Sequence, residues 1–234
     1  MRRCAFLLAL VVTSAFAADN RTPVLLELFT SEGCSDCPPA DRLLDALDQK
    51  QPIPGAELIV LSEHVDYWNR LGWQDPWSSA ANSARQQEYG RRFGLTDIYT
   101  PQLVIDGAAQ MVGSDGARID RELEKATHRR KIPVTLSYGS GSIHVETGPG
   151  SGRVYAAVAQ NRVTSQVARG ENAGRALTHV AVLRTFVAVG DLNADRGLRA
   201  DLALAATAGQ RVIVFIQDPQ SGRILGAAQQ RISD

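Results

Sequence analysis

Short apolar runs alternate with polar, helix-like stretches over the first half of this chain. Residues 24–30 are apolar apart from Glu27 and Thr30 and lead into Ser31-Glu32-Gly33, which predicts a mostly buried strand ending in a turn. From Pro39 to about Lys50, Leu43, Leu44 and Leu47 recur at helical spacing. Residues 58–61 predict a second buried strand, followed by a polar and aromatic stretch from His64 to Trp77. A polar helix over about residues 78–93 should stop at Gly94. Residues 103–106 and 109–112 read as a hairpin turning at Asp106-Gly107. Ile119, Leu123 and Ala126 then mark one face of a helix over about 115–129.

After Lys131 the texture changes. Segments rich in Val, Ile, Thr and Tyr at 134–138, 142–146, 154–160, 178–189, 211–217 and 224–229 are separated by glycine-rich turns. The pattern predicts an α/β domain over 18–131 followed by an all-β, sandwich-like domain over 132–234.

Composition narrows the function classes. With 44% hydrophobic residues in 234, the chain can bury a core, and 25 basic against 25 acidic residues create no field for steering phosphate backbones. Nucleic acid is not an expected partner. Met1-Arg2-Arg3, an apolar stretch from Cys4 to Phe16, and Ala15-Phe16-Ala17 read as an export signal over residues 1–17. The apolar stretch is too short to span a bilayer, so no stable membrane insertion is expected, and a periplasmic or secreted location follows. Cleavage would remove Cys4 and leave Cys34 and Cys37, in a compartment where thiols persist only if they are reduced or cycle.

Cys34-Ser35-Asp36-Cys37 lies between the first strand and the first helix. A thiolate at a helix N-terminus faces free N–H groups and the positive end of the dipole, and the two-residue spacer lets the second thiol resolve a mixed disulfide formed at the first. Cys34 is thus the candidate attacking thiol and Cys37 the resolving one. Two alternatives stay open: a structural disulfide, and a copper- or zinc-binding dithiol. The small loop favours catalysis over structure, because cross-link stabilisation grows with loop length. No second CxxC and no paired histidine spacing supports zinc.

A second signal is Thr100-Pro101 directly before the strand at 103–105, where a proline marks a special bond, expected to be cis. In this order of elements the sequence resembles the thioredoxin superfamily. The resemblance implies that Pro101 is cis beside the CxxC and that Thr100 offers backbone groups to an extended substrate. The stretch Glu27-Leu28-Phe29-Thr30-Ser31-Glu32-Gly33-Cys34-Ser35-Asp36-Cys37-Pro38-Pro39-Ala40-Asp41, with His64-Val65-Asp66-Tyr67-Trp68, Gly72-Trp73 and Asp75-Pro76, resembles an exported bacterial thioredoxin-like family catalogued as domain of unknown function 1223.

The chain departs from ordinary thioredoxin. Gly33 stands before the first cysteine and Ser35-Asp36 between the pair, while Pro38-Pro39 follow and should kink the first turn or delay the regular helix to about Pro39. Asp36, Glu32 and Asp41 oppose a thiolate by like charge, which favours a reductase or thiol-transfer role over a strong oxidant. Glu27 is a candidate proton relay, by resemblance to the buried carboxylate behind the second cysteine, though its spacing is one residue longer. His64 is a candidate general base, or a third ligand beside the sulfurs for Cu(I); its blander role, with Asp66, is capping the insertion. The aromatics of residues 67–77 form either a lid for a partner or a loop packed on its own domain. The polar loop 169–175 is a candidate contact to a partner or to the redox face, and His179 carries no assignment.

The expected activity is thiol–disulfide exchange by Cys34 and Cys37, with Thr100, Pro101, Glu27 and His64 in support. Its partners are protein or small-molecule thiols and disulfides and a redox partner that resets the pair. No cofactor or resident metal is expected; the copper or zinc chaperone and the binding module with a structural bridge are the alternatives.

Overall fold

The structure is a computed structural model and describes residues 21–139 and 141–233, so the expected export signal lies outside the described residues. The first half runs β1 (Thr22–Thr30), α1 (Cys37–Lys50), β2 (Ala56–His64), a 3-10 turn (Asn69–Leu71), α2 (Ala80–Phe93), β3 (Gln102–Ile105), β4 (Ala109–Val112) and α3 (Gly116–Thr127). Among the described residues the second half contains strands as its regular elements: β5 (Val134–Gly139), β6 (Ser142–Thr147), β7 (Arg153–Gln166), β8 (Ala176–Asp191), β9 (Arg199–Leu202), β10 (Gln210–Gln217) and β11 (Ile224–Arg231). All three helices lie where the leucine spacing and the stop signals put them. α1 already begins at Cys37, because Pro38 and Pro39 fall in the first turn, where the missing N–H has no helical partner to lose. The short strand β9, only four residues long, carried no readable pattern.

The halves share one sheet. Its order is β11-β10-β7-β8-β2-β1-β3-β4, with β1 parallel to β2, β3 antiparallel to β1, and β8 joined to β2 in parallel at Ser62 and Val182. The change of texture near Lys131 therefore marks where helices cease, while the sheet continues across it. A sandwich does form, between the separate sheet β5-β6-β9 and the far strands of the large one. Strand parity builds it: Val154, Ala156 and Val158 of β7 with Val212, Val214 and Ile216 of β10 meet Ile143 and Val145 of β6. Ala157, Ala159, Ile213 and Phe215, on the opposite face, join the main core instead.

Parity also sorts the first half. Leu28 pairs with Ser62 and Leu103, and Thr30 with His64, on the face covered by α1. Glu27 and Phe29, with Glu63 and Val104, point to the other face, where Tyr89 and Phe93 of α2 pack.

A buried ion pair pins α1 to the second half. Arg211 of β10 has no exposed surface, and its guanidinium donates to both oxygens of Asp48 at 2.8 and 2.9 Å, while Arg231 adds a third contact at 2.9 Å. Burial would raise the Asp48 pKa, but Arg211 and Arg231 pull it below the ordinary value. Asp48→Ala leaves the Arg211 charge buried and unpaired, and is expected to destabilise the protein by about 3–5 kcal/mol, whereas loss of the half-exposed Arg231 should remove at most about 1 kcal/mol. Urea unfolding of the two variants measures the difference.

Candidate functional site

The turn after β1 and the N-terminus of α1 bring Cys34 and Cys37 together as a closed disulfide, with Cα atoms 5.4 Å apart. Both residues are buried; Cys34 is 1% exposed. The peptide groups around them are held by partners from distant parts of the chain. The Glu32 N–H donates to Asp75 Oδ2 at 2.9 Å, that of Gly33 to Ser31 Oγ, and that of Cys34 to the Ser31 carbonyl. The Asn172 amide donates to the carbonyls of Glu32 and Cys34 at 2.9 and 2.8 Å. The exposed N–H of Ser35 donates to Glu171 at 3.1 Å.

The Thr100–Pro101 bond is cis, and Pro101 lies beside the first turn of α1. Gly113 shows the closeness. A Cβ there would stand 2.7 Å from Leu28 Cδ1, 3.0 Å from Ala40 Cβ and 3.4 Å from Pro101 Cβ, and its N–H donates to the Pro101 carbonyl. Thr100 accepts the Trp68 indole N–H on its hydroxyl at 2.8 Å, and Trp68 also packs on Gly33. Every indole of the insertion is hydrogen-bonded, that of Trp73 to Glu32 Oε2 and that of Trp77 to Ser165. These aromatics pack the insertion around the disulfide.

Beneath the disulfide lies a buried network on the α1 face. His64 is wholly buried, bonded through Nδ1 to Asp75 at 2.7 Å, and its ring meets that of His179 edge to face at 4.5 Å. His179, from β8, stands 3.5 Å from Glu32 Oε1 and 3.6 Å from Asp41 Oδ2, and Asp41 also accepts the Thr30 hydroxyl. Burial would depress the His179 pKa, yet Asp41 and Glu32 overcome it and hold the ring protonated, with a pKa raised to about 10. Asp75 is likewise lowered despite burial, by His64 and by the N–H groups of Glu32 and Trp77. Asp66 serves as a local brace, accepting the Ser83 hydroxyl.

Glu27 does not belong to this network. The extra residue between it and Cys34 puts it on the opposite face, where Arg85 Nε donates to it at 2.7 Å and the Tyr89 hydroxyl at 2.6 Å. Glu63 joins it there, pushed well above the usual carboxylate range by burial and by Glu27, with Arg85 opposing. The polar loop 169–175, one of whose two expected contacts was the redox face, reaches the CxxC turn through Asn172 and Glu171. Sequence reasoning gave no role to Asp75, although the His64-to-Pro76 motif contained it, and none to His179, which nothing local ties to Glu32 and Asp41. Among the described residues, no group of three His, Cys, Asp or Glu side chains is arranged to hold a metal ion.

Fold and site together define a mixed α/β protein with a CxxC disulfide at a strand–helix junction. The chain belongs to the DUF1223 family, proteins of unknown function, which it matches over residues 25–217. A crystal structure of a protein from Agrobacterium tumefaciens is similar, at 26% identity and a TM-score of 0.74, covering 90% of this chain and 95% of that one. No curated protein matches the chain.

The protonated His179 makes stability depend on alkaline pH. Its folded pKa of about 10 lies above the unfolded value of about 6.5, so its contribution is complete below the latter and disappears as pH rises through the former. Urea midpoints of the wild type should fall between about pH 7 and 10 more steeply than those of His179→Gln; parallel curves would contradict the assignment.

Proposed function

We propose that this protein is an exported thiol–disulfide oxidoreductase with a thioredoxin-like core. The observation that carries the reading is the closed Cys34–Cys37 disulfide at the start of α1, with the cis Pro101 across Gly113 from the first turn of that helix and with Glu32 and Asp41, on either side of the pair, in a buried cluster with His179. The β2-β1-β3-β4 order with β3 reversed, and helices on both faces, supports the thioredoxin-like description. The export pattern at residues 1–17 supports a periplasmic or secreted place of action.

In the reducing direction, Cys34 as thiolate attacks one sulfur of a substrate disulfide and expels the other as a thiolate. Cys37 then attacks Cys34 Sγ, the mixed disulfide breaks, and the second substrate sulfur leaves. Two electrons pass to the substrate and the Cys34–Cys37 bond closes; an external thiol reductant reopens it. Pro101 and Thr100 border the first turn of α1, and their neighbourhood is the natural bed for the substrate chain. Asp41, one turn beyond Cys37, and Glu32, two residues before Cys34, bring negative charge to both ends of the pair. The His179 cation offsets it, which favours the reduced, more negative state.

The experiment is a trap and a potential. Cys37→Ser should retain mixed disulfides through Cys34 in a periplasmic extract, and the wild-type pair should titrate above about −300 mV. An empty trap with a potential below that value instead assigns the bridge to structure. If His179 tunes the couple, His179→Gln should lower the potential by about 30 mV, the equivalent of one pKa unit on a single thiol, while Asp41→Asn should raise it. A purely structural pair of residues would not give opposite signs.

A further inference from the structure

Cys34 is 1% exposed, so an incoming thiol or disulfide has no line to its sulfur while the surrounding chain stays in place. Attack on a disulfide needs access along the bond to the sulfur struck. The loop at residues 167–175, which joins β7 to β8, reaches the backbone on either side of that sulfur from the far half of the chain, at the Glu32 and Cys34 carbonyls and the Ser35 N–H.

We propose that this loop is a gate over Cys34 and that Asn172 is its latch, the residue that decides how readily an external thiol reaches the pair. The proposal rests on the oxidoreductase reading and adds a step to it. Asn172 is fully buried although its neighbours Glu171, Ala173 and Gly174 are exposed, so from Ala168 to Arg175 it is the one side chain that enters the protein, beyond Val167 just after β7. Arg175 donates to the Asn172 amide oxygen at 2.9 Å, which turns the amide N–H group toward the Glu32 and Cys34 carbonyls. Glu171 forms a second, exposed contact through the Ser35 N–H.

The loop is a compact unit, with the Val167 N–H donating to the Arg175 carbonyl and the Gly174 N–H to the Val167 carbonyl, so it lifts as one piece. Gly170 and Gly174 flank Asn172 at equal distance with φ of 78° and 79°, a region that other residues enter only with strain. Gly170 rests against Trp73, whose indole holds Glu32, so the gate and the aromatic insertion interlock at the edge of the site. In the open form an incoming thiolate attacks Cys34 Sγ, the Cys34–Cys37 bond breaks, and its electron pair goes to Cys37. A second equivalent of the reductant thiol then releases Cys34, and the reductant leaves as its own disulfide.

The test is the rate at which dithiothreitol reduces the full-length oxidised protein under native conditions, read by alkylation and mass. An oxidised peptide of residues 32–39 serves as the ungated reference. The wild type should react more than about a hundredfold slower than the peptide, as expected for a site that reacts only from a rare open form. Asn172→Ala should accelerate reduction about tenfold, and Glu171→Gln, at an exposed position, about two- to threefold. The reduction potential should equal that of the wild type in both, because a gate changes both directions of exchange equally. Wild-type reduction at the peptide's rate overturns the gate, as do both variants reacting at the wild-type rate with unchanged melting temperature. Dithiothreitol also reduces a structural bridge, so this result is independent of the trap and the potential, which decide the oxidoreductase reading alone.

Discussion

A buried turn cannot leave its peptide groups without partners, and the turn between β1 and α1 is buried from Ser31 to Cys34. Its N–H and C=O groups find acceptors and donors in Asp75, Ser31 and Asn172, and only Ser31 is local. This requirement ties the disulfide to the insertion after β2 and to the loop before β8. It also explains why the second half of the chain is built into the sheet of the first. β8 must lie beside β2 for the loop ahead of it to reach residues 32–35, and the Arg211–Asp48 pair fixes α1 to β10 at the other end of the helix. The two halves therefore hold one site between them.

Strand parity then divides the polar chemistry. On the α1 face, Thr30, His64, Asp41, Glu32 and His179 cluster beneath the disulfide. On the α2 face, Glu27, Glu63, Arg85 and Tyr89 form a separate knot, with Arg85 lying over the rings of Tyr89, Phe186 and Phe215. Each cluster contains a buried cation set against carboxylates, which lowers the cost of their burial. Only the first has the position to act on the sulfurs. The second binds α2 to the sheet and, through the Gln217 contact to Tyr89, to β10.

Local signals were legible and long-range ones were not. The leucines of α1, the Gly94 stop, the Asp106-Gly107 turn and the CxxC placement each depend on a few neighbouring residues, and each lies where the pattern put it. The strands of the second half were readable as strands because β-branched residues crowd them, but their sheet partners were not: β8 meets β2 across more than a hundred residues. Glu27 shows the sharpest limit. Its residue type and its neighbourhood suggested a relay, and a one-residue difference in spacing turned it to the other face. His179 failed in the opposite sense. Alone on an apolar strand it had no local cue, and its role comes from Asp41 and Glu32, which the fold delivers from the first half.

Burial and reactivity pull in opposite directions at a disulfide, because the packing that keeps out water also keeps out the attacking thiol. A cover made of apolar side chains would have to expose core surface each time it opened. The loop at 167–175 avoids this, since its grip on the redox turn is polar and most of its residues already stand in solvent. When Asn172 withdraws, water can replace its two donors at the Glu32 and Cys34 carbonyls, so the opening exchanges hydrogen bonds and leaves the hydrophobic core intact. The main core, packed among β1, β2 and α1, takes no part in that exchange.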